Sequence, residues 1–378
     1  MLHKDLEKIY KIQMINQKQN ILLNPGPVNM SDRVKKQMIS EDFCHREKEF
    51  SDLIQDLNSQ LATTYEDMMD YESVILTSSG TGAVEGMLTS FIHDEKSLIV
   101  SNGVYGERME KILRAQNKAY HAIKFDWLDP IDVQSIADSI DADRSIKNLI
   151  LVHHETTTGR LNKLQEIGQL CKKYDLSLYL DGVSSFGAEE IMADEINLKA
   201  VAASANKCLH GAPGLAFVIA HKDQWKRIPK EPSGVYFDLH GYYHMQKTEG
   251  FSPFTQGTHL VNALHEAMLE FKEMGGWKAR NALFQSRAEQ IYLCLHQLGI
   301  KTLIPKEDYS SVLRSYRLPE DIAYQDLHAF MKNNGFVIYQ GQGSFKENIF
   351  RISTMGHIEE SHITLLCDLF EDFFNNHG

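Results

Sequence analysis

Val74-Ile75-Leu76-Thr77-Ser78-Ser79-Gly80-Thr81-Gly82-Ala83-Val84-Glu85-Gly86-Met87-Leu88 is the stretch that decides the architecture. Its apolar, β-branched start reads as a buried strand. Small hydroxyl and glycine residues follow, and then apolar positions at helical spacing. A turn of this kind leaves backbone N–H groups unpaired at the positive end of the helix dipole. Ser79, Gly80 and Thr81 therefore form a candidate phosphate cup. No Lys-Ser/Thr follows the glycines and no GxGxxG is spelled, which excludes a P-loop and a dinucleotide fingerprint. An ordinary small-residue helix cap is the bland alternative.

Three more strand ends carry polar residues. Leu149-Ile150-Leu151-Val152-His153-His154-Glu155-Thr156-Thr157-Thr158-Gly159 opens a strand into a hydroxyl-rich loop. Ser177-Leu178-Tyr179-Leu180-Asp181-Gly182 ends one on a carboxylate, and Ala202-Ala203-Ser204-Ala205-Asn206-Lys207-Cys208 ends one on an amine. From about residue 21 to 270, strands alternate with helical patterns, which predicts an α/β fold with a mostly parallel sheet and helices on both sides. Ligands in such sheets bind beyond the carboxyl ends of the strands. Burial disfavours the ammonium form and makes a lysine a nucleophile toward carbonyls. An acid is rarely buried without a partner, and a cationic ring nitrogen would be one for Asp181. Taken singly, Lys207 reads as a surface group and Asp181 as a backbone cap. Taken together, a cup, a carboxylate and an amine are what pyridoxal 5'-phosphate needs.

These residues, with Asn24-Pro25-Gly26-Pro27, Ser101-Asn102-Gly103-Val104-Tyr105-Gly106, Phe254-Thr255-Gln256-Gly257-Thr258-His259 and Phe350-Arg351-Ile352, carry a resemblance. The chain resembles the fold-type-I, class V aminotransferases, and within them the 2-aminoethylphosphonate–pyruvate transaminases. The likeness runs from about residue 21 to 357. It implies pyridoxal phosphate as cofactor, with Lys207 as the Schiff-base lysine and Asp181 as partner of the pyridine nitrogen. Ser79, Gly80 and Thr81 would hold the phosphate, with Thr258 reaching it from a second subunit of a homodimer. Tyr105 would lie over the ring and Thr157 would bond its phenolic oxygen. Arg351 would bind the acidic group of the substrate, since a planar fork of donors suits carboxylate or phosphonate.

One segment departs from the phosphonate pattern. Where some of those enzymes carry Trp-Asp-Asp, this chain has Cys44-His45-Arg46-Glu47-Lys48-Glu49-Phe50. A His-Arg pair there is common in class V enzymes that use alanine, serine and glyoxylate. Arg46 would offer a second cation to a phosphonate, or else be a surface charge. The resemblance thus implies amino transfer from 2-aminoethylphosphonate to pyruvate. An alanine– or serine–glyoxylate enzyme and a non-catalytic protein that keeps the cofactor stay open as alternatives.

Composition fits a globular enzyme rather than a nucleic-acid binder. A net charge of −12 leaves no basic surface for nucleic acid or anionic membranes. The five cysteines are scattered without a CxxC, so neither a disulfide framework nor a zinc site is expected. Pairs such as His153-His154, or His240 with His244, lack a third ligand at metal spacing. No apolar run near the N-terminus reads as a signal peptide, so the cytoplasm is the expected location. The domains expected are a helical arm over 1–20, a cofactor-binding large domain over 21–270 and a small α+β domain over 271–378. Residues 221–255, with Pro229, Pro232 and Pro253, read as one irregular segment.

Overall fold

The computed structural model describes residues 20–229 and 234–377. The expected N-terminal helix lies outside the described residues. The strands in chain order are β1 (Ile21–Leu22), β2 (Tyr71–Thr77), β3 (Lys96–Ser101), β4 (Tyr120–Lys124), β5 (Ile146–Val152), β6 (His154–Glu155), β7 (Arg160–Leu161), β8 (Ser177–Asp181), β9 (Leu198–Ser204), β10 (Leu215–His221), β11 (Leu313–Arg317), β12 (Phe336–Val337), β13 (Tyr339–Gln340) and β14 (Ile349–Ser353).

Seven of them make the central sheet, in the order β2-β10-β9-β8-β5-β3-β4. Only β10 runs against its neighbours; the other strands share one direction. Successive residues on a strand point to opposite sides, and both sides are buried. Ile75, Leu98, Leu149, Leu151 and Leu180 pack on one side with Phe50, Ile54, Leu57 and Leu61 from helix Lys48–Ala62. Val74, Leu76, Ile99, Ile150 and Val152 pack on the other with Met87, Leu88 and Leu113. Double burial explains why these strands read as unbroken apolar runs rather than alternating ones. Truncating Ile150, which is fully buried, to Ala would cost about 2–5 kcal/mol.

The C-terminal lobe carries a three-stranded antiparallel sheet, β11-β14-β13. Helices Gly276–Gln297, Tyr324–Asn333 and Glu360–His377 cover it through Ile291, Leu295, Leu327, Leu366 and Phe370. One strand departs from the expected partition. β1 pairs in parallel with β12, Ile21 opposite Phe336, and Ile21 and Leu23 pack in this lobe's core. Its short, locally ambiguous sequence shows no such partner across three hundred residues.

The reading of 221–255 as irregular is corrected in part. Helices Lys222–Arg227 and Leu239–Thr248 occupy it. Asp238 caps the second by accepting from the His240 and Gly241 N–H groups at 3.0 and 3.2 Å. Tyr236 stacks on Phe254 with centroids 5.1 Å apart. Aromatic packing and a cap override the missing period.

Candidate active site

The carboxyl ends of β8 and its neighbour β9, and that of β2 across the intervening β10, surround a cavity of about 190 Å³. Ser79, Gly80, Thr81, Tyr105, Asp181 and Lys207 all line it, together with Arg108, Ser204 and Asn206. Helix Gly80–Phe91 begins at its wall. Ser79 stands at the N-cap but makes no side-chain cap bond, so its hydroxyl is not spent on the helix. Gly80 is needed for space. A Cβ there would come within 2.7 Å of Val183.

Asp181 is 7% exposed and accepts from the Val183 N–H at 3.0 Å. Burial pushes its carboxyl up to about 6, against the pull of that N–H and of the positive charges of Arg108 and Lys207. Lys207 keeps part of its surface open to the cavity, yet loss of water lowers its amine to about 8. Asp181 opposes that drop, whereas Arg351 and Arg108 add to it. The amine donates to the Pro25 carbonyl. Gly26, at φ +122°, lets the chain pass here, since a Cβ on it would meet Lys207 Cδ at 2.8 Å.

Arg351, on β14, is fully buried. Its Nε donates to the Gln340 carbonyl at 2.9 Å, and Nη1 donates to the Thr156 carbonyl at 2.7 Å and to Gln342 Oε1 at 3.2 Å. Nη2 has no partner among the described residues. A buried guanidinium with one donor left over calls for an acidic ligand.

The expected role of Thr157 needs correction. Its hydroxyl donates to Glu155 Oε1 at 2.6 Å and accepts from the Val104 N–H at 3.1 Å. A hydroxyl has one proton to give, and this one is used. The hydroxyls on either side of it, Thr156 and Thr158, are both buried without a partner among the described residues. Besides Thr157, three expected residues do not line the cavity in their own chain: Arg351, Thr258 and Arg46. Thr258 opens helix Thr258–Glu273, with its hydroxyl 3.5 Å from His259 Nδ1. Arg46 is exposed, its guanidinium 5.9 Å above the Phe251 ring.

Three residues escaped the reading of the sequence. Glu155 is fully buried and accepts from the N–H groups of Tyr105, Gly106 and Thr157 at 3.2, 3.4 and 3.1 Å. Burial pushes its carboxyl up to about 7. It thereby holds the start of helix Val104–Ala115, and Tyr105 with it. Arg108 sits three residues after Tyr105, a spacing that places both on one side of a helix and was visible in the sequence. Ser204, at the end of β9, presents a buried hydroxyl without a partner among the described residues.

These groups fit pyridoxal phosphate. The helix start, the uncapped Ser79 and Thr81 suit the phosphate, Asp181 a protonated ring nitrogen, and Lys207 an aldehyde. The orphaned hydroxyls of Thr156 and Ser204 are donors that a polar ligand would satisfy.

Comparison with known proteins agrees. The chain is 34% identical over 351 residues to a 2-aminoethylphosphonate–pyruvate transaminase of Salmonella paratyphi C, covering 92% of this chain and 95% of that one. It is 32% identical over 370 residues to a bifunctional phosphonoacetaldehyde hydrolase/aminoethylphosphonate transaminase of Clostridioides difficile. That match takes in 97% of this chain but spans only 58% of the relative's length. Ureidoglycine–glyoxylate aminotransferase from Bacillus subtilis has the same fold, with a TM-score of 0.90 at 21% identity over 96% of this chain and 94% of that one. The family model for class-V aminotransferases matches residues 31–361, so the cavity at the carboxyl ends of β2, β8 and β9 belongs to a class-V aminotransferase.

Proposed function

We propose that the protein moves an amino group from 2-aminoethylphosphonate to pyruvate, giving phosphonoacetaldehyde and alanine. The observation that carries the reading is the convergence of Lys207, Asp181 and the Ser79–Thr81 turn on one cavity. Relatives that share about a third of their residues over nearly the whole chain support the choice of donor.

Pyridoxal phosphate, when bound, supplies an aldehyde to take the amine and an electron-withdrawing ring to accept charge from the donor carbon. The chain supplies the rest. Lys207, with its amine lowered to about 8, loses its proton at a lower pH than an ordinary lysine and then acts as a base. Its Nζ takes the proton from the donor carbon and returns it at the other end of the transfer. The Asp181 carboxylate keeps a proton on the ring nitrogen. Arg351 Nη2 takes the acidic group of donor or acceptor, while its other nitrogens stay anchored to backbone carbonyls. Thr156 donates its hydroxyl to the ligand, and Tyr105 covers the ring from helix Val104–Ala115.

The reading includes a homodimer in which Thr258 reaches the partner's phosphate cup, and a cytoplasmic location. Exposed apolar side chains at Ile39, Phe43 and Val235 support a covered surface. Among the described residues, no helix is long and apolar enough to cross a membrane.

The experiment is an absorbance scan of the cofactor-bound protein mixed separately with 2-aminoethylphosphonate, alanine and serine. The proposal expects 2-aminoethylphosphonate to bleach the band of the bound aldehyde, and pyruvate to restore it. Bleaching by alanine or serine with no response to the phosphonate would replace it with a glyoxylate-type enzyme.

A further inference from the structure

Arg108 is a cation in this cavity without a carboxylate. Its Nη1 donates to the Thr81 hydroxyl at 3.0 Å, and its guanidinium carbon lies 4.7 Å from the centre of the Tyr105 ring. No acid forms an ion pair with it among the described residues. Glu110 on the same helix is engaged instead by Lys124 at 2.7 Å and Arg114 at 4.0 Å. A half-buried arginine held by a ring and a hydroxyl, and facing a cavity, is an anion site in waiting.

Charge accounting says which anion. A phosphate monoester carries roughly −1.5 to −2 at neutral pH. The helix start at Gly80 offers about +0.5. Asp181 is matched by the ring nitrogen and adds nothing to the phosphate end. About one positive charge is missing in a cup built only from Ser79, Gly80 and Thr81. Arg108 touches that cup through Thr81. A hydroxyl that accepts from a guanidinium still has its own proton to donate, and accepting strengthens that donation.

We propose that Arg108 is the charge partner of the cofactor's phosphate, acting on it directly and through the Thr81 hydroxyl. This rests on the phosphate cup proposed above. It assigns Arg108 to cofactor retention rather than to the substrate, whose acidic group belongs to Arg351.

The test compares binding of pyridoxal phosphate and of pyridoxal, which lacks the phosphate, to full-length protein freed of cofactor. Wild type, Arg108→Gln and Arg108→Lys are titrated by cofactor absorbance. Arg108→Gln should lose about ten- to a hundredfold in affinity for pyridoxal phosphate, the scale of one charged hydrogen bond, and keep its affinity for pyridoxal. Arg108→Lys should recover part of the loss. An equal fall for both ligands, or no fall, overturns the proposal. So does a raised KM for the amino donor with the ratio of the two affinities unchanged, because that puts Arg108 on the substrate. If wild type itself does not prefer the phosphorylated form, the cup reading fails and this proposal fails with it.

Discussion

Glu155 takes the hydroxyl of Thr157 at 2.6 Å, and this one bond separates two adjacent threonines by role. Thr157 is part of the scaffold, whereas the buried Thr156 hydroxyl has no partner among the described residues. Thr157→Val should lower stability by about 1–3 kcal/mol, because a buried carboxylate and the Val104 N–H both lose a partner. Thr156→Val should leave the melting temperature of the cofactor-free protein unchanged or raise it, and reduce turnover. Thermal melts and steady-state rates on the two variants separate these outcomes.

Gly103 approaches the same carboxylate, and a Cβ on it would lie 2.3 Å from Glu155 Cδ. Gly103→Ala should therefore displace Glu155, with an overpacking cost of about 1–3 kcal/mol. The start of helix Val104–Ala115 would shift with it. A changed visible circular dichroism of the bound cofactor, which senses the cavity wall that Tyr105 forms, checks this.

Two buried carboxyls make the cofactor-free protein sensitive to pH. Asp181 is raised to about 6 and Glu155 to about 7, both chiefly by burial. Between their unfolded values near 4 and these folded ones, the folded state holds more protons than the unfolded. Stability should thus fall as pH rises from about 4 to 7. Asp181→Asn should flatten part of that slope and melt higher at pH 7.5 without cofactor. The same variant should lose most of its turnover. Melting curves across pH, with and without cofactor, test both signs.

Lys207 gives a kinetic readout. With its amine lowered to about 8, the rate at which cofactor-free protein captures the aldehyde should climb with pH and level off above that value. An ordinary lysine would still be climbing at about pH 10. Lys207→Ala should cost roughly 10²–10⁴-fold in turnover or more. Stopped-flow absorbance against pH measures the first, and single-turnover assays the second.

Arg351→Lys keeps the charge but not the fork. The KM for the amino donor should rise by about ten- to a hundredfold, the scale of a charged hydrogen bond. The affinity for pyridoxal phosphate should change little. Steady-state kinetics beside a cofactor titration distinguish the two.

The central architecture was legible because double burial writes itself as apolar runs, and each run from β2 to β9 ended on its polar residue. Lys207, Asp181 and the Ser79–Thr81 turn were legible for the same reason. Thr156 and Thr157 were not distinguishable, since which of two adjacent hydroxyls turns inward depends on Glu155, itself silent until its burial is seen. Motif position left Arg46 open between a site cation and a surface charge, and it is exposed, whereas Arg108 lines the cavity through its helical spacing from Tyr105. The pairing of β1 with β12 was invisible because two residues carry no periodicity, and their partner lies at the far end of the chain.

That pairing has a mechanical meaning. The Ile21 and Leu23 N–H groups donate to the Gly335 and Val337 carbonyls at 2.8 Å, and the Leu23 carbonyl accepts from the Ser353 N–H at 2.7 Å. Two residues later, the Pro25 carbonyl receives the Lys207 amine. Ser353 is also two residues past Arg351 on β14. The carbonyl that holds the amine and the Arg351 guanidinium are therefore fastened to the same small lobe. A substitution that loosens β1 from β12 would therefore disturb the partner of the Lys207 amine and the seat of the Arg351 guanidinium together.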